Sequence, residues 1–172
     1  MHKRLSLGAL GLGALATVLV GAWAGIVVFV GPSFGYSVDG TASWRWDEAH
    51  AWLHFAPGVA AVVAGLLMLA ALGRAVGGGA TRGVGLAGLL SIVAGAWLVL
   101  GPTAWPTVVT THRRVWAVAS PLHNLAHQVG ANLGPGVLLI VFGALSMGLV
   151  NRYRHERVFV PTPYRGEKAV AA

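Results

Sequence analysis

Four histidines are the residues of this chain whose type and spacing could bind a metal ion or a haem. They form two pairs whose members are four positions apart, His50 with His54 and His123 with His127. Residues four apart lie on one face of an α-helix, and imidazole nitrogen is a good ligand for zinc, copper and haem iron. The carboxylate of Asp47 or Glu48 could complete a coordination sphere. The four histidines are therefore candidate metal ligands.

The same histidines fit a second interpretation, in which they hydrogen-bond to the backbone or to water at the membrane surface. His54 lies three residues before Pro57, and His127 lies eight residues before Pro135. The internal repeat described below therefore does not explain both pairs. The zinc-hydrolase pattern HExxH is absent, and the chain has no cysteine, which excludes thiolate sites and disulfides. We predict an interfacial role without a cofactor, with haem, zinc or copper binding as the alternative.

Long apolar stretches must position these histidines. The chain is 56% hydrophobic and 10% charged, against roughly 25% charged in a typical soluble domain. About 20 apolar residues cross the hydrocarbon core of a bilayer as a helix. We therefore predict four transmembrane spans, at about 6–30, 56–73, 84–101 and 133–150.

The chain contains the same two-helix unit twice. Residues 11–23 read GLGALATVLVGAW, and residues 85–97 read GLAGLLSIVAGAW. The segments PGVAAVVAGLLMLAALGR from Pro57 and PGVLLIVFGALSMGLVNR from Pro135 also match. We therefore predict an all-α membrane protein of four transmembrane helices, built as two tandem helical hairpins with a parallel pseudo-two-fold repeat. The two repeats extend over about 6–74 and 84–152.

Two prolines mark the second helix of each repeat. Pro57 and Pro135 are tolerated in the first turn of a helix, where the missing N–H needs no partner. If the helices instead begin near Asp47 and Ser120, the prolines are kinks near the membrane surface. Ser120 followed by Pro121 is a good N-cap and N1 pair, so we favour a helix that begins at Pro121 and bends at Pro135.

The basic residues indicate the orientation of the chain. Nine of the twelve lie on one side of the predicted spans. They are Lys3, Arg4, Arg74, Arg82, Arg152, Arg154, Arg157, Arg165 and Lys168. The positive-inside rule then predicts a multi-pass plasma-membrane protein with both termini in the cytoplasm. The net charge of +7 reflects this topology and not nucleic-acid binding, and residues 153–172 form a basic, mobile tail.

Small residues and tryptophans have regular positions in the repeats. Stripes of small residues four apart let helix backbones approach closely. They are Gly13, Thr17, Gly21 and Gly25 in the first span, and Ala87, Ser91 and Gly95 in the third. We predict that the first and third helices meet along these stripes. The tryptophans are predicted to form an aromatic belt at the membrane surface, with Trp23 and Trp97 deeper in the spans.

The repeat resembles that of the SPW-repeat membrane proteins of bacteria, in which a Gly-rich first helix ends in a Trp and a Ser-Pro-Trp signature. The segment from Gly95 through Trp97 to Gly101-Pro102 is similar to that pattern, and Gly21-Ala22-Trp23 begins a longer version. Gly stands in place of the signature Ser, and Ser33 or Thr103 in place of its Trp. The resemblance implies the two-hairpin architecture and no activity.

The sequence indicates no catalytic residue, since nucleophile-elbow, phosphate-loop and dinucleotide motifs are absent. We predict a non-enzymatic accessory or structural membrane subunit that contacts the lipid bilayer and a membrane-protein partner or a second copy of itself. A haem- or metal-binding redox subunit that uses the histidine pairs is the alternative. A small transporter or channel is the second alternative, although the predicted spans contain no ionisable residue to mark an ion pathway.

Overall fold

The computed structural model describes residues 2–36, 43–74, 80–108 and 121–158. These residues form four long helices, joined to one short 3-10 turn at Gly31–Phe34. We number the helices α1 (His2–Val30), α2 (Glu48–Gly73), α3 (Ala80–Val108) and α4 (121–158).

Each helix is long and apolar enough to cross a membrane. The candidate spans are Gly8–Phe34, Glu48–Gly73, Arg82–Trp105 and Leu125–Asn151. Helices are the expected structure for these sequences because lipid offers no hydrogen-bond partner to the backbone, and a helix satisfies its own. The predicted fold class, an all-α membrane protein of four transmembrane helices, is confirmed.

The four helices form an antiparallel bundle. Within each hairpin α1 packs against α2 and α3 against α4, and between the hairpins α2 packs against α3 and α1 against α4. Core layers receive side chains from all four helices. One layer includes Leu10, Met68, Val84 and Val150, and the next includes Ala24, Ala61, Leu98 and Leu139. We call the end of the bundle opposite His2 and Val158 the distal end.

The small-residue stripes face the partner helix of the same hairpin. A Cβ on Gly21 would lie 2.7 Å from Cβ of Ala61 and 3.0 Å from the carbonyl oxygen of Gly58, both on α2. A Cβ on Gly95 would lie 2.5 Å from the carbonyl oxygen of Gly136 on α4. The prediction that α1 and α3 meet along these stripes is therefore wrong. The second helix of each hairpin carries small residues of its own, so the closest backbone approach occurs within the hairpin.

The buried hydroxyl groups of the described helices all donate hydrogen bonds to backbone carbonyls. Thr17 and Ser146 each donate to the carbonyl four residues earlier, at 2.8 Å. Ser91, the repeat counterpart of Thr17, instead donates to the carbonyl of Leu139 on the neighbouring helix of its hairpin, at 2.9 Å. That bond joins α3 to α4 in the buried core.

The second helix of each hairpin begins well before its proline. Asp47 is the N-cap of α2, and its Oδ1 accepts a 2.9 Å hydrogen bond from the backbone N–H of His50. Helix α4 begins at Pro121, as predicted. It continues to Val158, so residues 153–158 of the predicted tail are helical. Residues 159–172, and Ser120 with them, lie outside the described residues.

A π-helical segment precedes each internal proline. It covers Ala51–Phe55 before Pro57 and Gln128–Leu133 before Pro135. The helix type therefore changes just before Pro135, and the bend at Pro135 stays a prediction. π-helical turns inside α-helices are rare and occur frequently at functional sites.

Candidate functional site

The π segment of α2 leaves one carbonyl without a backbone donor. In this register the N–H of Ala56 bonds to the carbonyl of Ala51, five residues earlier. The next N–H in that series would belong to Pro57, which has none. The carbonyl of Trp52 accepts instead from the indole Nε1–H of Trp97, at 2.8 Å.

The π segment of α4 repeats this arrangement with the roles of the hairpins exchanged. The N–H of Gly134 bonds to the carbonyl of Val129, and Pro135 cannot donate to the next one. The carbonyl of Gly130 accepts from the indole Nε1–H of Trp23, at 2.9 Å.

These two hydrogen bonds explain why a tryptophan recurs within the first helix of each repeat. Trp23 and Trp97 occupy equivalent positions of the first helices, and their acceptors occupy equivalent positions of the second helices. Each tryptophan is about half exposed, so it also presents its ring to the surroundings. The sequence pattern predicted only an aromatic belt for these tryptophans. Their role as donors to the opposite hairpin depends on which helices pack together, and the missing proline N–H is the one signal in the sequence that points to it.

The distal histidines follow the repeat in a way that the sequence spacing conceals. His50 and His127 are each the residue immediately before a π segment. Their distances from the prolines differ because the second π segment has six residues and the first has five. His54 and Asn132 are each three residues before a proline. The equivalent pairs are therefore His50 with His127 and His54 with Asn132.

Three of these four side chains are buried inside the distal end. His54 is 1% exposed, and His127 and Asn132 are each 2% exposed. His54 lies within the range of charge–charge interaction with His127 of the other hairpin and with His50. The predicted spans began at 56 and 133, whereas the apolar spans of the structure include His54 and His127. His123 lies in the first turns of α4, but its side chain is outside the described part of the chain.

His50 connects this buried group to the surface through a carboxylate. Its Nδ1 lies 3.0 Å from Oδ2 of Asp47, which is also 3.8 Å from Nε of Arg45. The ring of His50 is 6.5 Å from that of His54, centre to centre. Asp47 thus caps α2 through one oxygen, and its other oxygen lies close to the imidazole of His50 without accepting a hydrogen bond from it.

Tyr36 covers the buried group from the side of α1. Its ring stacks on that of His127 at 5.1 Å, and its hydroxyl donates to the carbonyls of Ala126 at 3.3 Å and His127 at 3.2 Å. Gly130 makes room for this contact, since an added Cβ would collide with the tyrosine hydroxyl. Burial raises the pKa of Tyr36, so the neutral phenol that donates these bonds is favoured. No sequence motif marks Tyr36, because its contacts are with residues about 90 positions away.

Next to His50 lies a cluster of rings that we call the aromatic cap, formed by Phe29, Trp44, Trp46 and Phe55. Phe29 is 5% exposed, and it stacks with Trp46 at 5.2 Å and with Trp44 at 6.4 Å. Trp46 meets Phe55 edge to face at 5.1 Å. The tryptophans themselves remain 70% and 62% exposed. The cap therefore presents two indole rings that are fixed from below by a buried phenylalanine.

A metal site is not preformed in the described residues. Among them no group of three or more His, Asp or Glu side chains is arranged to hold an ion. In a tetrahedral site with metal–nitrogen bonds of about 2.0–2.1 Å, the ring centres of two imidazole ligands lie about 5.2 Å apart. The ring centres of His50 and His54 are 6.5 Å apart, which is too far for both to bind one such ion in this arrangement. The candidate ligands His50, His54, His123 and His127 therefore stay a prediction.

Comparisons of the chain with protein-family models, with curated proteins and with solved structures find no match in any of the three.

Proposed function

We propose that this chain is a non-enzymatic accessory subunit of the plasma membrane that docks a membrane-protein partner on its aromatic cap. The observation that carries the proposal is the pair Trp44 and Trp46, which are more than half exposed yet held in place by stacking on Phe29. Rigid, exposed aromatic rings contribute much of the binding energy at protein interfaces, since little side-chain entropy is lost on binding.

The clustering of the rings favours docking over lipid anchoring alone. Interfacial tryptophans that only anchor a bundle are distributed around its perimeter. Here Trp44 and Trp46, both in the 43–47 loop, stack on the same ring, Phe29 at the end of α1. The backbone of that loop is tied to α1, because the N–H of Trp44 donates to the carbonyl of Phe29 at 2.9 Å. Trp44 has a left-handed φ of 62°, a conformation that such an anchored position can sustain.

The positions of the basic residues support the proposed orientation. Arg74 and Arg82 flank the connection between α2 and α3, at the same end of the bundle as His2 and Val158. With the positive-inside rule, this supports cytoplasmic termini and a distal end that faces outward. The resemblance to SPW repeats supports the two-hairpin architecture within this proposal and assigns no activity.

The orientation can be tested directly because the chain has no cysteine. A single Ser43→Cys substitution places one thiol at the distal end, and Gly73→Cys places one at the opposite end. A membrane-impermeant maleimide added to intact cells should label only the first. Labelling of only the second would show the inverted orientation and would overturn the outward docking surface.

Docking can be tested on the protein in its native membrane. We expect a complex larger than the 17.7 kDa chain on native gels and by light scattering after extraction in a mild detergent. The double variant Trp44→Ser/Trp46→Ser should shift the chain to its monomeric mass. Trp52→Ser is the matched control, because Trp52 is 58% exposed and lies outside the cap. A wild-type monomer, or a complex that survives loss of the cap, would overturn the proposal.

If the complex contains only this chain, its mass will be an integral multiple of the monomer. That result would replace the foreign partner with a second copy. A photo-reactive amino acid at position 46 distinguishes the two, because the cross-linked product is identified by its peptides.

A further inference from the structure

The end of the bundle opposite the aromatic cap, which we call the proximal end, carries arginines that the docking role does not use. Arg74 directly follows α2, and Arg82 lies in the first turn of α3. We propose that these two arginines bind the phosphate of one anionic phospholipid at the seam between α2 and α3, and that the seam between α4 and α1 binds a second. The proposed sites are independent of the aromatic cap, because they lie at the other end of the helices.

A close helix contact brings Arg74 and Arg82 to the same seam. Helices α2 and α3 pack against each other, and a Cβ on Gly83 would lie 3.6 Å from Cβ of Ala71. Arg74 is three residues beyond Ala71, about 4.5 Å along the helix axis, and Arg82 immediately precedes Gly83. The axes of packed helices are about 8–10 Å apart. One phosphate between the two arginines can therefore accept hydrogen bonds from both guanidinium groups.

The positive charge of this seam is not neutralised by the acids whose side chains the structure describes. Arg74 and Arg82 are both exposed, and the sequence contains no Asp or Glu between Glu48 and Glu156. Glu48 lies at the distal end of α2, in a span of 26 residues that is about 39 Å long. The side chain of Glu156 lies outside the described part of the chain. An anion from the surroundings is thus the complementary partner of the two arginines.

The depth of the arginines favours a phospholipid as that anion. One apolar span ends at Gly73 and the next begins at Arg82, so both arginines lie where the hydrocarbon meets the headgroups. Leu67 is two turns below Arg74 and Leu86 one turn below Arg82, on the same helix faces, and they are 50% and 70% exposed. These apolar faces can contact the acyl chains of a lipid whose phosphate lies between the arginines.

The side-chain type and charge favour an anionic headgroup. Guanidinium groups bind phosphate in a bidentate manner, which an ammonium group cannot do. Basic residues near the membrane surface attract anionic lipids by about fivefold in affinity for each residue. A zwitterionic headgroup would bring a cationic group of its own beside the two arginines, so it gains less from them.

The second repeat places basic residues at the equivalent seam. Arg152 is the counterpart of Arg74, 78 positions later in the sequence, and it lies in the proximal part of α4. Helix α4 packs against α1, and the first residues of α1 include Lys3 and Arg4. The pseudo-two-fold repeat therefore gives two headgroup positions for each chain.

The test is native mass spectrometry of the delipidated, full-length protein in detergent, titrated with phosphatidylglycerol or with phosphatidylcholine of the same acyl chains. We expect the protein to retain two phosphatidylglycerol molecules, with affinity that falls as the salt concentration rises, and to retain phosphatidylcholine much more weakly. Arg74→Gln/Arg82→Gln should lower the affinity of one of the two positions by about 25-fold, which is about fivefold for each arginine.

Two further variants distinguish a site at the seam from a general attraction of charge. Arg45→Gln removes an exposed arginine from the distal end and should leave the retention of both lipids unchanged. Gly83→Leu fills the exposed groove between the two arginines without changing the charge, and it should weaken binding at one position. The proposal is overturned if the two lipids bind equally, if Arg74→Gln/Arg82→Gln binds like wild type, if Arg45→Gln weakens binding as much as Arg74→Gln does, or if Gly83→Leu has no effect.

Discussion

The indole N–H of Trp23 in the first hairpin donates to the carbonyl of Gly130 in the second, at 2.9 Å. Its counterpart Trp97 makes the reciprocal bond to the carbonyl of Trp52, at 2.8 Å. Both acceptors lie five residues before a proline, in a π register that would need the proline N–H. Two sequence features that look separate, the Gly-Ala-Trp of one helix and the Pro-Gly-Val of the other, are therefore joined by one hydrogen bond in each half.

Loss of the Trp97 indole should leave the carbonyl of Trp52 without a hydrogen-bond donor only while Pro57 is present. We expect Trp97→Phe to lower the free energy of unfolding by about 1 kcal/mol, because the carbonyl of Trp52 loses its donor. In a Pro57→Ala background the restored N–H can donate to that carbonyl, so the same substitution should cost much less. The measurement is a double-mutant cycle from unfolding curves in mixed detergent micelles.

Trp52→Phe is the control for this cycle, because only the backbone of Trp52 takes part in the bond. Its exposed ring makes no contribution to the acceptor, and stability should stay within about 0.5 kcal/mol of wild type. Equal costs of Trp97→Phe in both backgrounds would contradict the assignment of the indole to the orphaned carbonyl.

The fold was accessible from the sequence because apolar length and repetition are strong signals. Charge-free stretches defined four spans, and the matching segments defined two hairpins. The span limits were less accurate, since His54 and His127 are polar residues and were placed outside the apolar windows. Burial of these histidines depends on the close packing of both hairpins at the distal end, which no local pattern reports.

The small-residue stripes illustrate the limit of pattern analysis. A stripe specifies a close helix contact but does not name the partner helix. Gly21 and Gly95 face Gly58 and Gly136 of the adjacent helix, because small residues on both partners permit the closest approach. Counting small residues on α2 and α4 as well would have indicated this pairing.

The glycines at these contacts should not tolerate a methyl group. We expect Gly21→Ala and Gly95→Ala each to destabilise the bundle by about 1–3 kcal/mol, because the added Cβ would overlap backbone or Cβ atoms of the neighbouring helix. Gly11→Ala and Gly85→Ala are the matched controls, since nothing lies within 4 Å of their Cβ positions. Thermal unfolding in detergent should separate the two pairs, and equal effects would argue against the intra-hairpin interface.

The buried hydroxyls of the two repeats should differ in their contribution to stability. Ser91→Ala removes the bond from α3 to the carbonyl of Leu139 on α4, and we expect a loss of about 0.6 kcal/mol, as is typical for such bonds between membrane helices. Thr17→Val keeps the shape and removes only a bond within α1, so its effect should be smaller. A larger effect of Thr17→Val in detergent unfolding would refute the distinction.

Tyr36 should make the protein sensitive to alkaline pH. Burial raises its pKa above the ordinary value of 10.0, so the unfolded chain releases this proton at lower pH than the folded chain. Stability should therefore decline as the pH rises above about 10. The difference between wild type and Tyr36→Phe in pH-dependent unfolding isolates this contribution, and identical alkaline profiles would show that Tyr36 ionises normally.

Substitutions at Tyr36 and Gly130 should be energetically coupled, because the two residues are in contact. Gly130→Ala places a methyl group against the tyrosine hydroxyl and should destabilise the distal end by about 1–3 kcal/mol. Tyr36→Phe removes the oxygen that collides and leaves the ring over His127, so the double variant should be more stable than Gly130→Ala alone. Thermal unfolding of the four proteins gives the coupling. Additive losses of stability would mean that the Tyr36 hydroxyl does not occupy the space beside Gly130. They would contradict the position of Tyr36 over His127.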